Sequence, residues 1–97
     1  EAEVIDLRML RPLDMATVLA SLQRTHRVLL VEEAWRSGSV MAEVAARLAE
    51  EALYELDAPI GRLGGREVPM PYSAHQEQAA LPQVDDIVRA ARALMPR

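Results

Sequence analysis

The chain has 97 residues, 51% of them hydrophobic, a net charge of -4 and no cysteine. That length holds one modest domain, burying roughly 60–65% of its unfolded surface, and the apolar fraction excludes disorder. The missing cysteines exclude disulfides and thiolate chemistry, and the 11 basic residues, all arginine, are scattered among 15 acids, which argues against a nucleic-acid surface.

Aromatic side chains are confined to Trp35, Tyr54 and Tyr72. A core built mainly from alanine, leucine and valine buries little area per residue. Such a chain is expected to lean on a partner or a neighbouring segment. No apolar run approaches the roughly 18 residues of a membrane-spanning helix, and no signal-peptide pattern is visible. A cytoplasmic chain is the expectation.

Residues Glu3 to Arg8 alternate, with Ile5 and Leu7 on one side and Val4 on the other, and read as a first strand. A domain seldom opens directly on a strand, so Glu1 reads as a processing boundary rather than the biological start; economy at a terminus is the other explanation. Pro12 keeps Arg11 out of the helical region and closes this strand. Asp14 suits the N-cap or first turn of a helix running to about Gln23, with Val18, Leu19 and Leu22 as its apolar stripe. Thr25 to Arg27 is the turn into the next strand.

Val28-Leu29-Leu30-Val31 carries no polar interruption and ends on Glu32 and Glu33. That pattern reads as a strand buried on both faces at the centre of the sheet. The acids then lie at its carboxyl end, where open α/β sheets place functional loops. Ser39 is the expected N-cap of the longest helix, Val40 to about Leu56, with Val40, Val44 and Leu48 at i, i+4 spacing and Glu43 placed to pair with Arg47. Pro59 ends it. Ile60 to Leu63 reads as a third strand broken by Gly64-Gly65. A long irregular segment, Arg66 to Ala80, follows. In the last helix Pro82 suits the first position, and Val84, Ile87, Val88, Ala91 and Leu94 form the expected buried side. The order βαβαβ, long loop, α implies parallel strands between two helix layers.

Candidate chemistry is sparse. Glu32 and Glu33 are adjacent on a strand, face opposite ways and form no carboxylate pair. A strand-end stop with surface charge, or a salt bridge at an interface involving Glu33, Trp35 or Arg36, accounts for them. Trp35, in a loop, suits either an anchor between chains or a cap on the core. His26 and His75 have no second ligand at metal spacing. His75 as an acid or base has only Glu77 to orient it. The glycines at 61, 64 and 65 precede no helix and no Lys-Ser/Thr pair, so a phosphate loop is not supported. No serine nucleophile elbow is present.

Several stretches together resemble one family. They are Glu3-Val4-Ile5-Asp6-Leu7-Arg8, Leu10-Arg11-Pro12-Leu13-Asp14, Val31-Glu32-Glu33-Ala34-Trp35, Leu56-Asp57-Ala58-Pro59, Val68-Pro69-Met70-Pro71-Tyr72 and Leu81-Pro82-Gln83-Val84-Asp85-Asp86-Ile87. They look like the transketolase-type C-terminal domain of the beta subunit of pyruvate dehydrogenase, the decarboxylating component of 2-oxo acid dehydrogenase complexes. The similarity spans essentially the whole chain, residues 1–97. Arg11-Pro12-Leu13-Asp14 also occurs in wider transketolase-like proteins. Ala34 stands where the family usually has glycine, and the loop after Trp35 and the stretch around Gly64-Gly65-Arg66 depart from the common pattern.

The resemblance implies a three-layer α/β/α sandwich with a mostly parallel open sheet, lacking the strand and helix with which the family's domain begins. It implies an assembly domain without catalytic, cofactor-binding or metal-binding residues of its own. Thiamine diphosphate and Mg2+ would be held mainly by other domains of the full enzyme. That enzyme would oxidatively decarboxylate a 2-oxo acid, pyruvate first among the candidates, and reductively acylate a lipoyl group. Branched-chain and acetoin enzymes share the subunit plan. The implied partners are an alpha subunit, a second beta subunit and the lipoyl acyltransferase core, with Glu33, Trp35, Arg36, Met70, Tyr72 and His75 as possible interface residues. No role with nucleic acid or membrane is implied. The alternatives are a free-standing α/β enzyme or ligand-binding domain, which needs a closed pocket at the carboxyl end of Val28–Val31, and a soluble regulatory fold without a partner.

Overall fold

A computed structural model of the chain describes residues 2–8, 11–35, 37–65 and 81–95. The elements are α1 (Met15–Thr25), β1 (Leu29–Trp35), α2 (Val40–Ala52), a 3-10 turn (Leu53–Glu55), β2 (Gly61–Gly65) and α3 (Val84–Ala93).

α1 starts where its sequence provides a cap. The Asp14 carboxylate accepts the Thr17 backbone N–H at 3.1 Å and the Thr17 hydroxyl at 2.6 Å, satisfying a donor that the helix itself leaves open. The helix stops at His26, whose backbone is left-handed with φ 60° and whose N–H returns to the Leu22 carbonyl at 2.8 Å. From there Leu29, Leu30 and Val31 enter a parallel pairing with Gly61, Arg62 and Leu63. The bond from the Gly61 N–H to the Val28 carbonyl, 3.0 Å, begins that ladder.

The core sits between α1, α2 and one face of β1. Val18, Leu22, Leu30, Val44, Leu48 and Ala52 are buried together, with Val44 and Leu48 at 0% exposure. Leu7, Leu13, Val28, Leu56 and Ile60 pack around them. Side chains alternate along a strand, so Leu30 faces α2 while Leu29 faces the other way. On that other face a side-chain carbon at Gly61 would meet Leu29 Cδ1 at 3.1 Å and Leu94 Cδ1 at 3.2 Å. The absent side chain is what lets α3 approach the strands this closely. α2 and α3 therefore flank opposite faces of a small parallel sheet.

Several expectations change. Residues 2–8 form no strand ladder. Val4 is 89% exposed, while Leu7 packs on the core, so the alternation is present but no strand pairs with it. The described sheet has two strands, β1 and β2, instead of three. β1 is not buried on both faces: Leu30 is buried, but Val31, on the α3 side, is exposed beyond the reach of a ten-residue helix. Gly64 and Gly65 lie inside β2 rather than breaking it. α2 ends at Ala52 and tightens into the 3-10 turn four residues before the expected stop at Leu56. Pro82 precedes the last helix; its cap is Gln83, paired reciprocally with Asp86. Of that helix's expected buried side, none is fully buried, and Val84 and Val88 are exposed. The irregular segment 66–80 lies outside the described residues.

Candidate functional site

The carboxyl end of β1 runs directly into the start of α2, and the polar chemistry of the described residues concentrates there. The register shifts between Val31 and Trp35: Val31 pairs with Leu63 and Trp35 with Gly65. More residues of β1 than of β2 fill that interval, so the strand bulges at Glu32, Glu33 and Ala34. Gly38, at φ 68°, then takes the left-handed turn into α2, a backbone state that a side chain would strain.

Glu32 keeps the parity of Leu30 and points toward α2. Its carboxylate accepts the Ser39 hydroxyl and, at 3.5 Å, the Met41 backbone N–H. Ser39 in turn accepts the Ala42 N–H at 3.2 Å as the N-cap, and an Arg62 guanidinium N–H from β2 at 3.5 Å. A half-buried acid, a hydroxyl and an arginine thus tie both strands to the N-terminus of α2. The negative charge of Glu32 lies where the helix dipole favours it. Each acceptor has work within the fold, which makes the cluster a brace between strand and helix.

Sequence reasoning identified Ser39 as the cap and saw that Glu32 and Glu33 diverge. It missed the Glu32–Ser39–Arg62 connection. The shared parity of Leu30 and Glu32 is the signal that could have found it. Glu33 points the opposite way and is exposed, and Trp35 is half-exposed at the end of the bulge. Of the six expected interface residues, these two are surface groups separated by one residue. Arg36, Met70, Tyr72 and His75 lie outside the described residues, as does Glu77.

A second junction forms at the opposite ends of α1 and α2. His26 Nδ1 lies 2.8 Å from the Glu55 carbonyl oxygen and 3.8 Å from its carboxylate, and the Asp57 N–H donates to the His26 carbonyl at 2.8 Å. This histidine joins the C-terminus of one helix to the turn that ends the other, a structural use of its ring. An open groove of about 740 Å³ runs beside the start of α2, lined by Arg11, Leu13, Gly38, Val40, Glu43 and Arg47 among others. Within it Arg47 pairs with Glu43 at 3.1 Å, as the i, i+4 spacing anticipates. The groove is open and shallow in chemistry, unlike the enclosed, mostly apolar pocket that a free-standing ligand-binding domain requires.

A diphosphate cofactor with Mg2+ needs several oxygen ligands converging on the metal. Among the described residues no three His, Cys, Asp or Glu side chains come together, and Glu32 is engaged within the fold. These residues do not fit such a group. Among them, too, no helix is long and apolar enough to cross a membrane.

Comparison with known proteins agrees with this picture of a module. Residues 1–87 match the family model of the transketolase C-terminal domain. The beta-1 subunit of the pyruvate dehydrogenase E1 component of Arabidopsis thaliana, a mitochondrial protein, is 52% identical over 94% of this chain and 25% of its own length. The beta subunit from Rhizobium meliloti is 45% identical over 97% of this chain and 20% of its own. That from Rickettsia felis is 40% identical over 95% and 28%. The chain thus spans about a quarter of the length of these relatives. The cytoplasmic expectation is overturned: most of the similar proteins are mitochondrial by name. Compartments are addressed by targeting segments, and the composition of a folded domain carries no such address. The match to the family model over residues 1–87, with the similarity to pyruvate dehydrogenase E1 beta subunits, shows that this chain belongs to the transketolase C-terminal domain family.

Proposed function

We propose that this chain is the assembly domain of the beta subunit of a thiamine-diphosphate-dependent 2-oxo acid dehydrogenase. The whole enzyme would decarboxylate a 2-oxo acid, pyruvate on the present likeness, and pass the acyl group reductively to a lipoyl arm. Thiamine diphosphate and Mg2+ would be bound by other parts of that enzyme. This domain would contribute surface: toward the alpha subunit, toward a second beta subunit and toward the acyltransferase core. Glu33 and Trp35, with Arg36, Met70, Tyr72 and His75, are its proposed contact residues.

The observation that carries the reading is the 52% identity to a pyruvate dehydrogenase beta subunit across 94% of the chain. The economy of the site supports it. Glu32, Ser39, Arg62 and His26 are engaged in holding the fold, while Trp35 and Glu33 face outward. A half-exposed tryptophan is the kind of side chain that anchors interfaces.

The test is sedimentation velocity of this chain, in its beta subunit, mixed with the alpha subunit. Association into a larger species is expected. Trp35→Ala should weaken it by about thirtyfold, corresponding to about 2 kcal/mol for an anchoring aromatic residue. A chain that stays indifferent to the other subunits would refute the reading.

A further inference from the structure

The outward side of β1 carries three exposed side chains in one row. Val31, Glu33 and Trp35 alternate with Glu32 and Ala34, and Glu32 is turned toward α2. The bulge keeps that alternation, because the four steps from Val31 to Trp35 oppose two from Leu63 to Gly65 and both counts are even. Val31 is 38% exposed and Trp35 50%, so the row is apolar at both ends and acidic in the middle.

Glu33 has no counter-charge in the described fold. Among the described residues it makes no hydrogen bond or ion pair. The one arginine within the described strands, Arg62, donates to Ser39 on the opposite face. The exposed arginines Arg8, Arg24 and Arg47 already meet Asp6, Glu3 and Glu43. An acid flanked by apolar groups loses its hydration when the row is covered, and a desolvated acid without a partner is costly. Whatever covers the row therefore brings a cation.

The neighbouring ring narrows the choice of cation. Alternate residues of a strand stand about 6–7 Å apart. A guanidinium is flat: its face stacks on an indole while its edge gives two parallel N–H bonds to a carboxylate. The ammonium of lysine is a compact point charge without that second geometry. We propose that the row Val31–Glu33–Trp35 receives an arginine of a partner subunit, its guanidinium laid on Trp35 and forked to Glu33, with the apolar part of the same segment against Val31. The inference rests on the assembly reading for the existence of a partner and deepens it by naming what these contact residues bind.

The test uses the assembled enzyme with its complete beta subunit. A photoreactive p-benzoylphenylalanine replaces Val31, which leaves Glu33 and Trp35 in place, and the irradiated enzyme is digested and mapped by mass spectrometry. The expected cross-link joins position 31 to a segment of another subunit that contains an arginine. Glu33→Arg in that background should cut the yield per assembled enzyme about tenfold, as reversal of a close charge pair does, and replacing the partner arginine by glutamate should restore it. Trp35→Phe should keep more of the cross-link than Trp35→Leu, since an aromatic ring attracts a cation and an aliphatic chain does not. If the position 31 variant does not assemble, sedimentation of Glu33→Arg with and without the partner's reversal carries the same test. A cross-link to a segment without arginine, no cross-link, a yield that Glu33→Arg leaves unchanged, or an equal loss from Arg36→Gln, which would assign the cation to this chain itself, overturns the inference. Normal assembly alongside any of those results leaves the assembly reading standing. Alpha and beta subunits that do not associate defeat that reading and the inference with it.

Discussion

Two residues at helix starts carry much of the local order, and each has a distinct signature. Asp14 accepts two hydrogen bonds from Thr17; the hydroxyl bond, then the backbone bond, holds its carboxyl below the ordinary carboxylate range. A folded-state value lower than the unfolded one stabilises the fold above the unfolded pKa. That contribution is lost as pH falls through the lowered value. Urea midpoints measured down the acid range should therefore drop for the native chain, and Asp14→Asn should remove this part of the drop. Ser39 is at once the α2 cap, a donor to Glu32 and an acceptor from Arg62. Ser39→Ala should lower stability by about 1 kcal/mol, the usual cost of a lost cap, read as a lower urea midpoint at unchanged slope.

At the scale of elements, α3 packs closely where it crosses a glycine. Gly61 leaves room for Leu94, and a Cβ placed there would meet, at 3.1–3.3 Å, the flexible ends of leucine side chains. Gly61→Val should force α3 outward, costing about 1–3 kcal/mol as overpacking does, and should raise amide exchange in Val84–Ala93 ahead of α2. Leu48→Ala, at a fully buried position, should cost about 2–5 kcal/mol. Helix positions were largely legible in the sequence, because Asp14 and Ser39 are caps with a mechanism and Val18, Leu22, Val44 and Leu48 keep the helical period. The strands were less so. Alternation in Val4, Ile5 and Leu7 shows which side chains face inward but not whether a neighbouring strand exists. The run Val28–Val31 could not reveal that its second face is only partly covered. Burial of the last helix was overstated for the same reason: Val84 and Val88 are apolar, but the described strands beneath α3 do not cover them.

For the whole molecule, the small core and the wide exposed apolar surface belong together. Trp35, Val31, Leu53 and Tyr54 lie exposed on one chain of modest size, as do Val84, Val88 and Met95 at the last helix. Glu32, at the carboxyl end of β1 where an enzyme would display its polar groups, is engaged with Ser39 and, through it, Arg62 of β2 in bracing α2. The candidate site was legible only in part: Trp35 and Glu33 read as surface groups and the parity of Leu30 and Glu32 points that acid toward α2, whereas the contact with Arg62 depends on the pairing with β2, which no local pattern encodes. On the proposed reading, this domain contributes assembly and not chemistry. The most direct measurement is the sedimentation profile of the complete enzyme carrying Trp35→Ala, with activity normalised to the assembled fraction. A smaller assembled fraction with unchanged activity per assembled enzyme is the predicted result. Full assembly with lost activity per enzyme would contradict it.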